Sequence, residues 1–335
     1  MAKDEIYIRG VGTELQRLQL VSEAVAAGDC PQTIAERAHT ESVSVSDHAS
    51  GAELAALAAR TALRDAGVDG AEIDLIAHAN VYYQGHDLWS PSSYIQREVG
   101  AGDAVAVEIR QMSNGGMASI DLAAAYLLGR DRDLALLTTG DRFAAPGFDR
   151  WVSDPGTIYG DGGTALILSR TSGFAVLRSF VNIADATLEA MHRGEDPFGG
   201  APFSIRPRVD LEPLKKDFLD GASVLAIVEK VRRGQEQVIA RSLDEAGVKI
   251  TDIAWFVLPH FGRRRLSGSF LRPLDIDIDS TTWNFARTVG HLGAGDQFAG
   301  LTYLRQHNAL RRGDAVLLAG VGAGFTWSAA VVEIL

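Results

Sequence analysis

The sequence predicts an α/β protein built from one unit used twice, with apolar strands enclosed between layers of helices. Two observations carry that expectation. Residues 63–77, LRDAGVDGAEIDLIA, align without a gap on residues 243–257, LDEAGVKITDIAWFV, so that Leu, acidic residues, Ala-Gly-Val and Ile recur in step before an apolar run. The two stretches also end alike: LALLTTG and then YGDGGTALIL in the first are answered by AVLLAGVGAG and then FTWSAAVVEIL in the second. A helix–strand order that returns at a fixed offset is a signature of duplication, and it divides the chain at 1–173 and 174–335. The length of 335 residues suits two halves, because single cores stop growing at about 250–300 residues.

The elements follow in order. Residues 6–10 form a short strand, and the polar, weakly periodic stretch to about residue 50 wraps the surface. Residues 52–66 are an alanine- and leucine-rich helix ended by Gly67, and 73–79 are an apolar strand. A loop and short helix fill 80–98. Residues 105–129, VAVEIRQMSNGGMASIDLAAAYLLG, read as a buried strand, a sharp polar turn carrying Ser113, and a long amphipathic helix. A strand at 134–139 leads into a long loop through Trp151 and Pro155, and 159–168 make a glycine turn and a strand. Gly160, Gly162 and Gly163 allow close approach of neighbouring backbone. Residues 315–332 are uncharged and long enough to suggest a membrane span, but Gly320, Gly322 and Gly324 and the β-branched content make them two core strands joined by a turn.

Composition limits the function. Hydrophobic residues make up 46% and charged residues 22%, the balance of a soluble globular protein. A formal net charge of −11 argues against nucleic acid as a partner, since phosphate binding needs a basic face. Cys30 is the only cysteine, which leaves no intramolecular disulfide and no multi-cysteine metal site and fits a reducing cytoplasm. The opening MAKDEIYIRG has no apolar core of a secretory signal. No metal site and no membrane attachment are expected.

Ser113 is the leading candidate for chemistry. At a strand-to-helix junction the unpaired N–H groups and positive end of the helix face the side chain, which suits a nucleophile. The plain alternative is that Ser113 only caps the helix.

The duplicated layout, the strand–turn–helix at Ser113, YGDGGTALIL, LPHFGRRRL (258–266) and GDAVLLAGVGAGFTWSAAVV (313–332) together resemble the ketosynthase III branch of the thiolase-fold condensing enzymes. The resemblance covers nearly the whole chain and implies a five-layer αβαβα thiolase fold and a homodimer. In condensing members the Ser113 position is a cysteine, and the positions matching His260 and His291 are a histidine and an asparagine that support decarboxylation of a malonyl extender. This chain departs at two of the three.

The two departures belong together chemically. A cysteine at a helix N-terminus can be thiolate near neutrality, whereas a serine needs a base to take its proton. That base works best when a carboxylate fixes its tautomer. His291 supplies the base, and Asp296, five residues on in GHLGAGDQ, supplies the carboxylate. Ser113, His291 and Asp296 would form a triad. The constellation resembles ketosynthase III-like acyltransferases of polyketide and antibiotic biosynthesis, which pass on an acyl group without forming a carbon–carbon bond. His260 matches the family histidine and is expected in carbonyl polarisation or substrate orientation. Family geometry implies an oxyanion hole from the backbone N–H groups of Ser113 and Ala323. His192, among eight histidines, is expected in a solvated loop.

The acyl donor and acceptor follow from smaller signals. The early region reads HTESVSVSD (39–47), without the Trp and Arg-Thr-Gly-Ile-type stretch that holds the nucleotide in coenzyme A-using relatives. Arg263, Arg264 and Arg265 follow His260, and Arg265 matches a basic position that meets the acidic carrier protein in relatives. A basic cluster on an acidic protein suits docking of an acyl carrier protein or a polyketide synthase carrier domain, although such runs are often plain surface. No cofactor is expected to be tightly bound, the phosphopantetheine arriving on the carrier or on coenzyme A. Phe143, Phe148, Trp151 and Phe198 lie in loops that would line a flat pocket for an aromatic acyl group such as 6-methylsalicylyl. The acceptor is a second carrier protein or a small-molecule hydroxyl or amine. Two alternatives stand: a starter-unit condensing enzyme using acyl-coenzyme A and malonyl carrier protein, and a non-catalytic ketosynthase-like partner.

Overall fold

A computed structural model describes residues 5–220 and 223–335. The chain begins with β1 (Tyr7–Leu15), followed by a small flap of β2 (Arg17–Leu20), α1 (Val21–Ala27), α2 (Gln32–Ala38) and β3 (Ser42–Val45). Then come α3 (Gly51–Ala66), β4 (Leu75–Ala79), α4 (Pro91–Val99), β5 (Val105–Ile109), α5 (Gly115–Arg130), β6 (Leu134–Asp141) and β7 (Gly162–Ser169). Beyond these lie β8 (Ala175–Ala184), α6 (Leu211–Asp220), α7 (Val224–Ala246), β9 (Ile253–Val257) and the short α8 (Arg263–Leu266) and α9 (Arg272–Leu274). The chain closes with α10 (Trp283–Val289), α11 (Asp296–Gln306), β10 (Ala315–Gly322) and β11 (Thr326–Ile334).

The repeated Ala-Gly-Val has a local cause. Gly67 ends α3 and Gly247 ends α7, both in the left-handed region at φ 63° and 68°. In each case the next valine N–H reaches back to a leucine carbonyl, Val68 to Leu63 at 3.2 Å and Val248 to Leu243 at 3.1 Å. These are paired Schellman caps, which turn each helix into the strand that follows. At its other end α3 is held by a reciprocal box: Ser50 Oγ accepts from the Glu53 N–H and the Glu53 carboxylate accepts from the Ser50 N–H, a feature worth about 1 kcal/mol.

Nine strands form one sheet in the order β5-β4-β6-β7-β1-β8-β11-β10-β9. Pairs β4/β5, β4/β6 and β9/β10 are parallel and the remainder antiparallel. Read from its two ends the sheet repeats itself: β4-β6-β7-β1 corresponds to β9-β10-β11-β8. The partner of β5 in the second copy is reduced to an isolated bridge, Phe256 with Thr281. The two copies meet in a seam of only two residue pairs, Tyr7 with Val176 and Ile8 with Ala175.

Helix α3 covers one outer face through β1, β6 and β7, and α7 covers the other through β8 and β11. Between the copies lie α5 and α11, each touching strands of both: α5 packs on β4 and β6 and on β10 and β11, α11 on β1 and β7 and on β9 and β10. The result is the five-layer αβαβα thiolase fold. The middle layer is the main core, with Met117, Ile120, Leu127, Phe298 and Leu301 buried against Leu137, Leu166, Leu318 and Val332.

Two expectations change and one holds. Strand β5 is not buried: it is the edge strand, with Val105 and Val107 at 47% and 41% exposure, because nothing among the described residues pairs beyond it. Residues 11–50 do not simply wrap the surface; β1 extends to Leu15 along β7, and β2 pairs with β3 over a small core of Val21, Cys30, Val43 and Trp151. The apolar stretch 315–332 forms the β10–β11 hairpin, and among the described residues no helix is long and apolar enough to cross a membrane.

Candidate active site

The N-termini of α5 and α11 converge at the middle of the molecule, and the residues just before each helix make the site. Gly116 lies so close to the Ala294 carbonyl that a Cβ there would sit 2.3 Å from its oxygen, so the two helix starts approach only through glycine. Ser113 lies in the 3₁₀ turn Met112–Asn114 between β5 and α5, behind Met112 with φ 50°. A positive φ outside glycine is uncommon and clusters at functional sites. The Asn114 amide fixes the turn by donating to Gln111 Oε1 at 2.7 Å and Ser328 Oγ at 2.8 Å.

Ser113 does not cap α5, whose N-cap is Asn114 and which has no side-chain cap. Its hydroxyl instead lies 2.9 Å from His291 Nε2, and His291 Nδ1 lies 2.6 Å from Asp296 Oδ2. A carboxylate only accepts, so Nδ1 carries the proton and Nε2 is left as the acceptor for the serine. Asp296 is the first residue of α11, where the helix dipole favours a negative charge. It also accepts the His260 N–H at 2.7 Å and the Leu292 N–H at 2.8 Å. Burial alone would raise its pKa, but His260, His291 and these N–H donors outweigh that and hold it below the usual value.

His260, just beyond β9, is buried beside the same carboxylate. Its Nδ1 donates to the Gly290 carbonyl at 3.0 Å and its Nε2 has no protein partner. Burial lowers its pKa. A neutral ring protonated on Nδ1 has only a lone pair at Nε2, so it orients or accepts and does not donate; the expected carbonyl polarisation is not supported. Ala323 lies in the β10–β11 turn, and its neighbour Gly322 abuts the Gln111 carbonyl and Asn114, which brings that turn beside Ser113.

Other expected residues are placed differently. The three arginines of α8 do not form one exposed cluster. Arg264 is exposed and Arg263 lies over the Trp283 ring, but Arg265 turns inward, its guanidinium 2.9 and 3.2 Å from the two Asp154 oxygens. Lys215 joins at 2.6 Å. Burial would raise the Asp154 pKa, yet Arg265 and Lys215 keep it well below the carboxylate range. The reason is local: a carboxylate buried here requires both cations. The aromatics also divide. Phe143, Phe148 and Trp151 together line one cleft of about 420 Å³, Phe143 and Phe148 also packing with Tyr159 and Trp151 with the flap core, whereas Phe198 lies apart and is 91% exposed. His192 is half-buried in a 3₁₀ turn (Ala186–His192); its ring lies against Phe325, and burial, with Lys215 and Arg265 nearby, lowers its pKa to about 4.

Sequence reasoning missed three residues at the site. The Tyr159 ring packs at 4.9 Å on His291, and its signal was present as the residue before GDGG. Asp154 left only its place before Pro155 as a sign. Asp141, at the end of β6, accepts the N–H groups of Val81, Tyr82 and Ala294, and burial pushes its pKa up to about 7. Clefts of about 420, 400 and 430 Å³ open elsewhere, none lined by Ser113, His260 or His291. Among the described residues no group of three His, Cys, Asp or Glu is placed to hold a metal.

Comparison with known proteins agrees with this architecture. The family model described as 3-oxoacyl-[acyl-carrier-protein (ACP)] synthase III C terminal matches residues 243–334. Beta-ketoacyl-[acyl-carrier-protein] synthase III of Clostridium beijerinckii is 23% identical over 98% of this chain and 99% of its own length. The Thermosynechococcus vestitus protein of the same name is 29% identical over 83% and 82%. Among solved structures, one named ChlB3 [Aceyltransferase] is 33% identical with a TM-score of 0.94, covering 99% of this chain and 98% of its own. The 3-oxoacyl-[acyl-carrier-protein] synthase III of Aquifex aeolicus shares the fold at 20% identity, TM-score 0.80, over 98% and 99%. With a relative 33% identical along essentially its whole length and the same five layers, the chain belongs to the ketosynthase III-like family of thiolase-fold enzymes.

Proposed function

We propose that the protein is an acyltransferase of secondary metabolism that moves an acyl group from a carrier-protein thioester, through an ester on Ser113, to a second carrier or a small-molecule hydroxyl or amine. The observation that carries this reading is the hydrogen-bonded line from Ser113 through His291 to Asp296, at 2.9 and 2.6 Å. As the Ser113 oxygen attacks the thioester carbon, its proton passes to His291 Nε2. The backbone N–H groups of Ser113 and Ala323 take the negative charge on the carbonyl oxygen, where one such donor is worth about 2.7–4 kcal/mol. Collapse expels the pantetheine thiolate, which takes the proton from His291. The acceptor then gives its proton to Nε2 as it attacks the ester, and the proton returns to the Ser113 oxygen. No carbon–carbon bond forms. Asp296 steadies the imidazolium in both halves of the cycle.

The acyltransferase description of ChlB3 favours transfer. The relatives named beta-ketoacyl synthase III favour a second reading, decarboxylative condensation of an acyl starter with a malonyl carrier protein. A homodimer is part of the proposal: β5 offers an unpaired edge with Val105 and Val107 exposed, and Leu122 on α5 is 56% exposed, a surface that another copy would cover. Arg264, exposed on α8, remains available to an acidic carrier.

Intact-protein mass spectrometry tests the reading. Wild type mixed with aryl and alkyl thioesters, on carrier protein and on coenzyme A, should gain an acyl mass that Ser113→Ala does not. Carbon dioxide release from malonyl carrier protein, or a product two carbons longer, would establish condensation instead. Absence of label from every donor would refute the covalent route.

A further inference from the structure

We infer that Tyr159 is a positioning residue for His291, anchored from behind by Asp154 in the grip of Lys215 and Arg265. The inference rests on the reading of His291 as the base for Ser113. Tyr159 and His291 face one another in an isolated parallel bridge. The His291 N–H donates to the Ile158 carbonyl at 2.9 Å, and the Gly160 N–H donates to the His291 carbonyl at 3.0 Å. Residues opposed in such a bridge project side by side, and the two rings meet edge to face, 4.9 Å apart and inclined at 72°.

The tyrosine is itself fixed. Its hydroxyl donates to Asp154 Oδ2 at 3.3 Å, and Phe143 and Phe148 close on its ring at 4.7 and 4.8 Å. Burial and the neighbouring carboxylate raise the phenol pKa well above its ordinary value, so the hydroxyl stays a donor. Lys215 and Arg265 keep Asp154 ionised, so the acceptor also persists.

The need for this support follows from the geometry of His291. Its bond from Nδ1 to Asp296 fixes one edge of the imidazole, but the ring can still tilt about that bond and carry Nε2 away from Ser113. The Tyr159 ring blocks the tilt. Arg265 therefore acts internally, through Asp154 and Tyr159, in place of the external docking role its position suggested.

The test uses the full-length protein with Tyr159→Phe, which keeps the ring and loses the tether, and Tyr159→Leu, which loses both. Two readouts are followed: the downfield proton resonance of the His291–Asp296 hydrogen bond, and Ser113 acylation by acetyl-coenzyme A and by a salicylyl N-acetylcysteamine thioester. Tyr159→Phe should melt near wild type and broaden the downfield resonance. It should slow acylation about tenfold at saturating donor with an unchanged half-saturating concentration, the scale of a lost orientation. Tyr159→Leu should be slower still, Tyr159→Phe then being the partial rescue. An unchanged resonance in folded Tyr159→Phe, or an effect on half-saturation alone, would overturn the assignment. If no donor acylates the wild type, the proposed function fails, while the resonance still decides the role of Tyr159.

Discussion

Replacing Asp296 with asparagine separates a working triad from a coincidence of packing. The carboxylate satisfies three donors with two oxygens: Oδ2 takes His291 Nδ1–H at 2.6 Å and the His260 N–H at 2.7 Å, and Oδ1 takes the Leu292 N–H at 2.8 Å. Asparagine keeps one acceptor and turns the other into a donor. With its oxygen in the Oδ1 place, the amide N–H groups face the His260 N–H and force His291 to accept on Nδ1, which puts the proton on Nε2 and removes the base. With its oxygen in the Oδ2 place the tautomer survives, but the Leu292 N–H is left against an amide donor and the negative charge is gone. One buried N–H left unpaired costs about 1–3 kcal/mol, so Asp296→Asn should fold with a lowered melting midpoint. Its acylation rate should fall about 10⁴-fold, the known scale for a base trapped in the wrong tautomer, or about 5.4 kcal/mol of barrier. Quenched-flow intact mass measurement, with Ser113→Ala as the zero, reads this directly. Acylation within tenfold of wild type would refute the argument that Asp296 orients the base.

Arg265→Ala should destabilise the protein by about 2–4 kcal/mol, toward the low end of the cost of breaking a buried pair because Lys215 remains, whereas exposed Arg264→Ala should leave the melting curve unchanged; equal effects would contradict the inward placement of Arg265. Val107→Lys on the β5 edge should abolish self-association in sedimentation experiments without altering the circular dichroism spectrum, and an unaltered sedimentation profile would remove β5 as the interface. Asp141 has its pKa raised from 3.8 to about 7, so the folded state holds a proton that the unfolded chain releases. Stability should therefore fall as pH rises through that window, and Asp141→Asn should flatten the slope in denaturant titrations from pH 4 to 8. Asp296 works in the opposite sense: its lowered pKa supplies stability that is present above the ordinary carboxylate value and lost as pH falls through the folded one, so Asp296→Asn should narrow the gap to wild type in acid.

Much of this was legible in the linear chain where the signal is local. The repeated Leu-to-Val stretch reports two Schellman caps and the strands they feed, Leu63 with Val68 and Leu243 with Val248, since such a cap needs only glycine and a short-range contact. Ser113, His291 and Asp296 were also readable, because the last two lie five residues apart and the first stands at a strand-to-helix turn. Pairing was not readable. Residues 105–109 look like a buried strand, yet whether VAVEI is central or at an edge depends on what lies beyond it in space. The arginine run fails for the same reason: Arg263, Arg264 and Arg265 are identical in sequence, and only Arg265 finds Asp154, 111 residues away. Tyr159 was passed over because its partner His291 is met through an isolated bridge that no periodicity announces.

The seam between the copies, two residue pairs wide, has a further consequence. Ser113 belongs to one copy and His291, Asp296 and His260 to the other; beyond that short pairing, the copies are registered by α5 and α11 lying between them, by the Tyr159–His291 bridge and by the hold of Arg265 and Lys215 on Asp154. The gap between Oγ and Nε2 is thus a gauge of how the copies are set, and a substitution such as Gly116→Ala, which removes no reacting group yet wedges the two helix starts apart, would be felt there first. The repeated strand order in this way gives each copy half of one site. The start of the central helix presents the hydroxyl in one copy, from the turn just before α5, and the carboxylate in the other, from the first residue of α11, so neither copy is complete without its twin.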